Sequence, residues 1–380
     1  MQRQPIRFNR QELAGAFGDI GTDFPLIVGM IIAAGLHTPS VLIVFGLMQI
    51  ATGLVYRMPM PVQPLKAMAT LVIAQKIAGP VLLGAGIAIG VIMLVLSASG
   101  LLTWLGKVVP KPVIRGIQFG LGLSLCGLAF KEYIPSAGLT GYVLAAITFL
   151  LIILLFHNKK YPAALVVIIM GILYAFLTSV NLQELQQAFG ITWPQPAIPG
   201  WNDIWKGFLL LSIPQIPLSL SNSMLATRQV IADYYPDRNI GLKKIGLTYA
   251  AMNLLSPLAG GIPVCHGAGG MVGHYTFGGR TGGSVIIYGM LYVVLGLFFG
   301  QGFNQLINVF PLPVLGTILL FEGIALIMLT GDTVSVRKDF MLAIMVGLMA
   351  FGLPYGFAIA LVAGVLLYHF MPDRFWDNRT

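Results

Sequence analysis

The chain has 380 residues, of which 57% are hydrophobic and only 9% charged. Soluble domains carry about 25% charged residues, so a soluble globular enzyme or binding module is excluded and a polytopic membrane protein is left. The net charge of +9 does not point to nucleic acid, because the basic residues stand singly or in pairs at the ends of apolar runs, where they set orientation in a bilayer.

A spanning helix needs about 20 apolar residues and a half-spanning one about 12. On that measure fourteen segments are expected: 12–34, 39–56, 63–77, 80–100, 111–130, 139–156 and 161–179, then 204–227, 241–259, 264–276, 281–301, 311–330, 337–352 and 355–371. The N-terminus, Met1 to Arg10, is basic but leads into a segment with two aspartates, so it does not read as a signal peptide. Segment one carries Asp19 and Asp23. Acids in a spanning helix usually face a cavity or a partner. Asp23 is read that way, whereas Asp19 stands equally well as a helix-end cap near the cytoplasmic surface. Segment three is short and starts at Met60-Pro61-Val62-Gln63-Pro64-Leu65-Lys66-Ala67. Arg115, at the start of segment five, reads as an interfacial snorkelling residue. The stretch 180–203 joins the two halves. Segment eight opens Pro214-Gln215-Ile216-Pro217-Leu218-Ser219-Leu220-Ser221-Asn222, with amides and hydroxyls where segment one has acids. Ser219 and Asn222 are either ligand contacts or interhelical hydrogen-bond glue. Segment ten is also short and starts at Ile262-Pro263-Val264-Cys265-His266-Gly267-Ala268-Gly269. Glu322, in segment twelve, either carries a coupling proton or pairs with a base such as Lys66. His37, His157, His274 and His369 read as interfacial and receive no role.

Pro61-Val62 and Pro263-Val264 lie 202 residues apart, and Pro110-Lys111-Pro112-Val113 echoes Pro311-Leu312-Pro313-Val314 at an offset of 201. Two echoes at nearly one offset indicate a duplicated chain. Seven segments per copy is an odd number, so the second copy enters the membrane from the opposite side, as an inverted repeat. With the N-terminus inside, 18 basic residues fall on the inner side, only Lys76, Lys131 and Lys206 fall outside, and Lys66 lies in the membrane. The expected organisation is a first repeat over 1–179, a connecting loop over 180–203, a second repeat over 204–371 and a cytoplasmic tail over 372–380.

Proline-interrupted segments at matching places in two halves are the best sequence pointer to a transporter site. A half-helix that starts near the midplane offers unpaired amides and the positive end of its dipole to an anion. Pro64 suits the first turn of segment three, and Lys66 adds a full charge there. On the other side Cys265 and His266 are expected to line the mouth, His266 as a proton acceptor or a hydrogen-bond donor, and Gly267, Gly269 and Gly270 to let the backbone approach a ligand. Other chemistries are weakly signalled. The glycine-rich stretch 278–283 lacks a Gly-Lys-Ser/Thr element, no metal-ligand cluster stands out, and the two cysteines, Cys126 and Cys265, form no disulfide framework. No cofactor is expected.

The stretches Glu12–Pro25, Pro61–Ala69, Pro214–Ala226 and above all Gly260–Gly283, reading GGIPVCHGAGGMVGHYTFGGRTGG, resemble the molybdate-transporter branch of the SulP sulfate-permease superfamily. The resemblance implies an all-α, uracil-permease-like fold of seven plus seven inverted segments. Segments one to four and eight to eleven would form a core domain, five to seven and twelve to fourteen a gate domain. It implies a tetrahedral oxyanion substrate and an elevator-like motion of core against gate. A C-terminal STAS domain, typical of sulfate permeases, is not seen before the chain ends at Thr380, as in the molybdate branch. Carried onto this sequence, Gln63, Pro64, Leu65, Lys66, Cys265, His266 and Gly267 would form two cradles, with Asp23, Gln215, Ser219 and Asn222 closing the sides.

The expected function is import of molybdate, or next sulfate, across a bacterial-type inner membrane, with both termini cytoplasmic. Asp19, Asp23, His266 and Glu322 are the candidates for proton coupling. Membrane lipid and a second copy of the chain are the expected partners besides the anion. A nucleobase–proton symporter of the same fold is the alternative, although segments eight and ten lack the carboxylates that family uses. A membrane-embedded enzyme is disfavoured for want of a catalytic constellation.

Overall fold

The computed structural model describes residues 5–102, 109–155, 163–178 and 189–370. The expected tail over 372–380, His157 and the first part of the connecting loop lie outside these. Each of the fourteen expected segments contains a helix. Segment one is two, α1 (Arg10–Ala16) and α2 (Ile20–Ala34). Then come α3 (Thr38–Tyr56), strand β1 (Gln63–Pro64), α4 (Lys66–Gln75), α5 (Gly79–Ser99), α6 (Lys111–Leu128), α7 (Gly138–Leu155) and α8 (Ala163–Thr178). The second half holds α9 (Trp201–Tyr234), α10 (Leu242–Leu258), strand β2 (Val264–Cys265), α11 (Ala268–Thr276), α12 (Gly283–Val309), α13 (Leu312–Met328), α14 (Arg337–Gly352) and α15 (Gly356–Phe370).

Local chemistry sets many of the ends. Helices α3, α5, α6 and α13 carry a proline in their first turn, where the missing amide costs nothing. Gly35, Arg57, Lys76 and Gly100 adopt the left-handed conformation that closes a helix. Two expectations need correcting. Segment one is not one rod: Gly18 N–H bonds Gly15 and Ile20 N–H bonds Phe17, tight three-residue turns that bend α1 against α2 by 43°. Segment eight is longer than expected and widens to π-helical bonding over Phe208–Ser212 and Ser219–Ala226. Pro214 and Pro217 lie between these stretches and cannot donate to the helix ladder, a recognised cause of local register change.

Five helical runs are long and apolar enough to cross a membrane among the described residues: Thr38–Tyr56, Gly79–Ser99, the bent run Lys111–Leu155, Trp201–Tyr234 and Leu312–Thr333, with α1–α2 a sixth if the bent pair is one span. Helices α4 and α11, with 10 and 9 residues, reach only about 15 Å at 1.5 Å per residue, half the hydrocarbon thickness. Outward side chains are apolar: Leu139, Leu154 and Leu177 are 81, 77 and 87% exposed, as suits a surface solvated by lipid tails. Inside, α3 lies along α12, α5 along α10, and α6 against α13 and α14.

Candidate functional site

The two short segments meet head-on. β1 and β2 pair antiparallel, Gln63 opposite Cys265 and Pro64 opposite Val264, and Leu65 N–H adds a bond to the Pro263 carbonyl. A two-residue ladder in a membrane leaves backbone groups that water cannot reach. Two buried amides satisfy them. Gln49 of α3 donates from Nε2 to the Val62 carbonyl and accepts the Val62 N–H. Asn253 of α10 does the same for Val264. The sequence reading missed both residues. The signal was there, because two intramembrane amides stand 204 residues apart, close to the offset of the proline motifs.

A cavity of about 80 Å³ opens beside this junction, lined by Lys66, Gln118, Gln215, Leu218, Asn222, Ser223, Cys265, Leu326 and Leu329. Pockets that take organic ligands run to roughly 300–1,000 Å³, so this one suits a small ion. Four expected residues, Lys66, Gln215, Asn222 and Cys265, lie in the lining. Gln118, Ser223 and the leucines were not foreseen. Lys66 keeps 29% of its side chain exposed and has Nζ 4.0 Å from Glu322 Oε2. Glu322 also accepts from Thr22 Oγ1 at 3.3 Å.

Several expected ligands are engaged elsewhere. Gln215 Oε1 accepts from the Ala67 and Met68 amides at 2.9 and 3.3 Å. The second and third amides of α4 are therefore capped by a side chain rather than bare. Gln215 Nε2 donates to Ser219 Oγ, which contacts the Tyr249 hydroxyl at 2.7 Å, so Ser219 braces Gln215 from behind. Gln63 Nε2 donates to both carboxylate oxygens of Asp19 at 2.8 and 2.7 Å. Asp19 thus makes no side-chain helix cap, and the capping alternative is set aside. His266 does not line the cavity. Its Nδ1 faces the Pro61 carbonyl, which can only accept, so Nδ1 carries the proton, and Nε2 meets Thr248 Oγ1 at 2.8 Å. The ring also packs edge-on against Tyr56. His266 is a strut between the two motifs. Gly267 and Gly270 are approached by the Gln63 and Asp19 side chains, which a Cβ there would overlap, while Gly269 faces open space.

Asp23 is fully buried and neither carboxylate oxygen has a hydrogen-bond partner among the described residues. Pro64 and Leu65 contribute backbone to the strand and to the cap of α4. His274, expected at the interface, is fully buried with its ring edge-on to Tyr288. Arg115 does not snorkel freely: it grips both oxygens of Asp332 through Nε, and Oδ2 also through Nη2. Among the described residues no group of three His, Cys, Asp or Glu could hold a metal ion.

The fold is that of a known class of membrane transporter. The transmembrane domain of a cyanobacterial bicarbonate transporter, BicA, superposes with a TM-score of 0.67 at 17% identity, covering 96% of this chain and 99% of that one. Murine SLC26A9, an anion transporter in its inward-facing state, gives 0.71 at 13% identity over 96% of this chain and 69% of that one. At such identities the likeness shows the fold alone. A family model described as "Molybdate transporter of MFS superfamily" matches residues 11–125 and 207–326. Molybdate transporter 2 of Arabidopsis thaliana is 32% identical, with 96% of this chain and 88% of that protein covered. Molybdate transporter 1 of the same plant is 33% identical over the same shares, and molybdate transporter 1 of Chlamydomonas reinhardtii 27% identical over 86% and 85%. The chain therefore belongs to the molybdate transporter family. Its relatives are transporters, in keeping with a protein that is not an enzyme.

Proposed function

We propose that this protein is a secondary transporter that moves a tetrahedral oxyanion, molybdate first and sulfate next, by alternating access at the β1–β2 junction. The observation that carries this is the head-on meeting of two half-helices at a small polar cavity that holds Lys66. A dianion gains from the cation, from the dipole of α4 and from a low-dielectric setting. The size of the cavity favours a small ion over a nucleobase.

The inverted repeat, and its division into 1–179 and 204–371, is supported by the packing. If segment n corresponds to segment n+7, the pair α3–α12 (segments two and eleven) maps onto α10–α5 (nine and four), and both pairs pack along one another. The amide clamps from Gln49 and Asn253 correspond in the same way. Segments one to four and eight to eleven then move as a core against a gate of the remaining six, with both termini on the cytoplasmic side. The named relatives are plant and algal, so the bacterial setting has no support from them. Asp19, Asp23 and Glu322 near the cavity motivate proton coupling. His266 is not carried into that role, because both ring nitrogens are engaged.

The test is uptake of labelled molybdate into proteoliposomes, with and without an inward pH gradient, alongside binding titrations with molybdate, sulfate and uracil. Saturable molybdate uptake that is accelerated by the gradient is expected. Uptake indifferent to the gradient removes the coupling, and preferential binding of uracil removes the oxyanion.

A further inference from the structure

Gln118 sits on α6 and lines the same cavity as Lys66, in a position that no sequence motif pointed to. Its surroundings fix which way its amide faces. Arg115, one helical turn earlier, donates from Nη1 to Gln118 Oε1 at 2.9 Å. A guanidinium has only donors, so the amide atom that meets it must be oxygen. Arg115 is itself held by a bidentate grip on Asp332, and Lys111 Nζ reaches the same carboxylate at 2.8 Å. Gln118 Nε2 has no partner among the described residues, although the residue is only 6% exposed.

We propose that Gln118 is a substrate-contacting, specificity-determining residue of the cavity, and that Arg115, anchored by Asp332, is the positioning residue that makes it present N–H groups alone. The inference rests on reading the cavity as the oxyanion site. Its consequence is a choice between anions of the same shape. Molybdate and sulfate at neutral pH carry no proton and offer only acceptors. Hydrogen phosphate carries a hydroxyl that needs an acceptor. Lys66 and the locked Gln118 have none to give. The Gln215 oxygen is already occupied by two backbone amides, and Glu322 is outside the lining. A buried donor left facing a donor is costly, so the protonated anion is disfavoured at the position Gln118 reaches. The Asn222 amide and the Ser223 hydroxyl can turn either way and do not discriminate.

The test uses the purified full-length protein in detergent, with molybdate and phosphate titrated at neutral pH and thermal unfolding as the control for folding. Gln118→Met keeps the length of the side chain and removes its donors. Molybdate affinity should fall by about tenfold or more, with phosphate little changed, so the preference narrows. Gln118→Glu keeps the Arg115 contact and turns an acceptor toward the cavity, which should narrow the preference further. Arg115→Leu should narrow it by releasing the amide to invert, Arg115→Lys should restore it, and Arg115→Leu added to Gln118→Met should have no further effect. If the two Gln118 variants keep the wild-type preference while Lys66→Ala loses molybdate, the inference falls and the site stands. If Lys66→Ala and the Gln118 variants all bind as wild type, the cavity is not the site.

Discussion

Lys66 carries its charge on the first turn of a half-span and shares it, at 4.0 Å, with Glu322. A full charge beside a bound dianion is worth several kilocalories where water is scarce. Lys66→Ala is expected to weaken molybdate binding by roughly 2–5 kcal/mol, measurable by titration calorimetry. An unchanged affinity would leave Lys66 a structural partner of Glu322. Asn253 supports a different expectation. Replacing it with Leu strands a buried N–H and a buried carbonyl of Val264 at once, which should cost about 2–4 kcal/mol. A fall in the thermal midpoint in detergent, matched by Gln49→Leu, checks this. If either variant unfolds at the wild-type temperature, that clamp is not holding its strand. At this scale the sequence showed which residues were unusual and offered one pairing, Lys66 with Glu322, but not the partners of the others. Lys66 and Cys265 were legible because charge and proline mark the starts of the short segments. The contacts of His266 were not legible because its partners, Pro61 and Thr248, lie outside segment ten, and no local pattern shows which way a ring turns.

Among the elements, the half-helices were the most legible. Each begins just after a proline in an otherwise apolar stretch, and proline cannot sustain a continuous rod through lipid without other groups taking up its backbone partners. The bend in segment one and the π-helical widening of α9 were not legible. Both depend on where backbone bonds slip by one residue, and hydrophobic periodicity does not report that. Helix pairing carries its own expectation. Gly46 of α3 and Gly289 of α12 face each other so closely that a Cβ on either would overlap the other's carbonyl oxygen. Without a hydrophobic driving force between helices in lipid, such small-residue contact is a main source of association. Gly46→Val should therefore destabilise the protein by about 1–3 kcal/mol and lower its yield in membranes. Wild-type stability in that variant would show that α3 and α12 can part without loss.

For the whole molecule, the proposed motion joins the cavity to both sides of the membrane by sliding α2 and α4 past α13. Thr22 on α2 and Glu322 on α13 touch across that boundary. A Thr22→Cys, Glu322→Cys pair, made with Cys126 and Cys265 changed to Ser, can be bridged with a short bis-thiol reagent. Bridged protein should bind molybdate close to the level of its unbridged parent, yet fail to move it into proteoliposomes. Full transport after complete bridging would rule out relative motion at this boundary. The order of the helical segments and the place of the two short ones were legible in the sequence itself, because apolar length and proline placement act locally. Tertiary structure alone decided what the short segments meet: a two-residue strand pair joining the two halves, a capped α4 whose amides Gln215 occupies, and a cavity whose lining includes Gln118. The strand pair and the α4 cap depend on contacts between residues about 150 to 200 positions apart, and hydrogen-bond geometry at that range is settled only when the chain has packed.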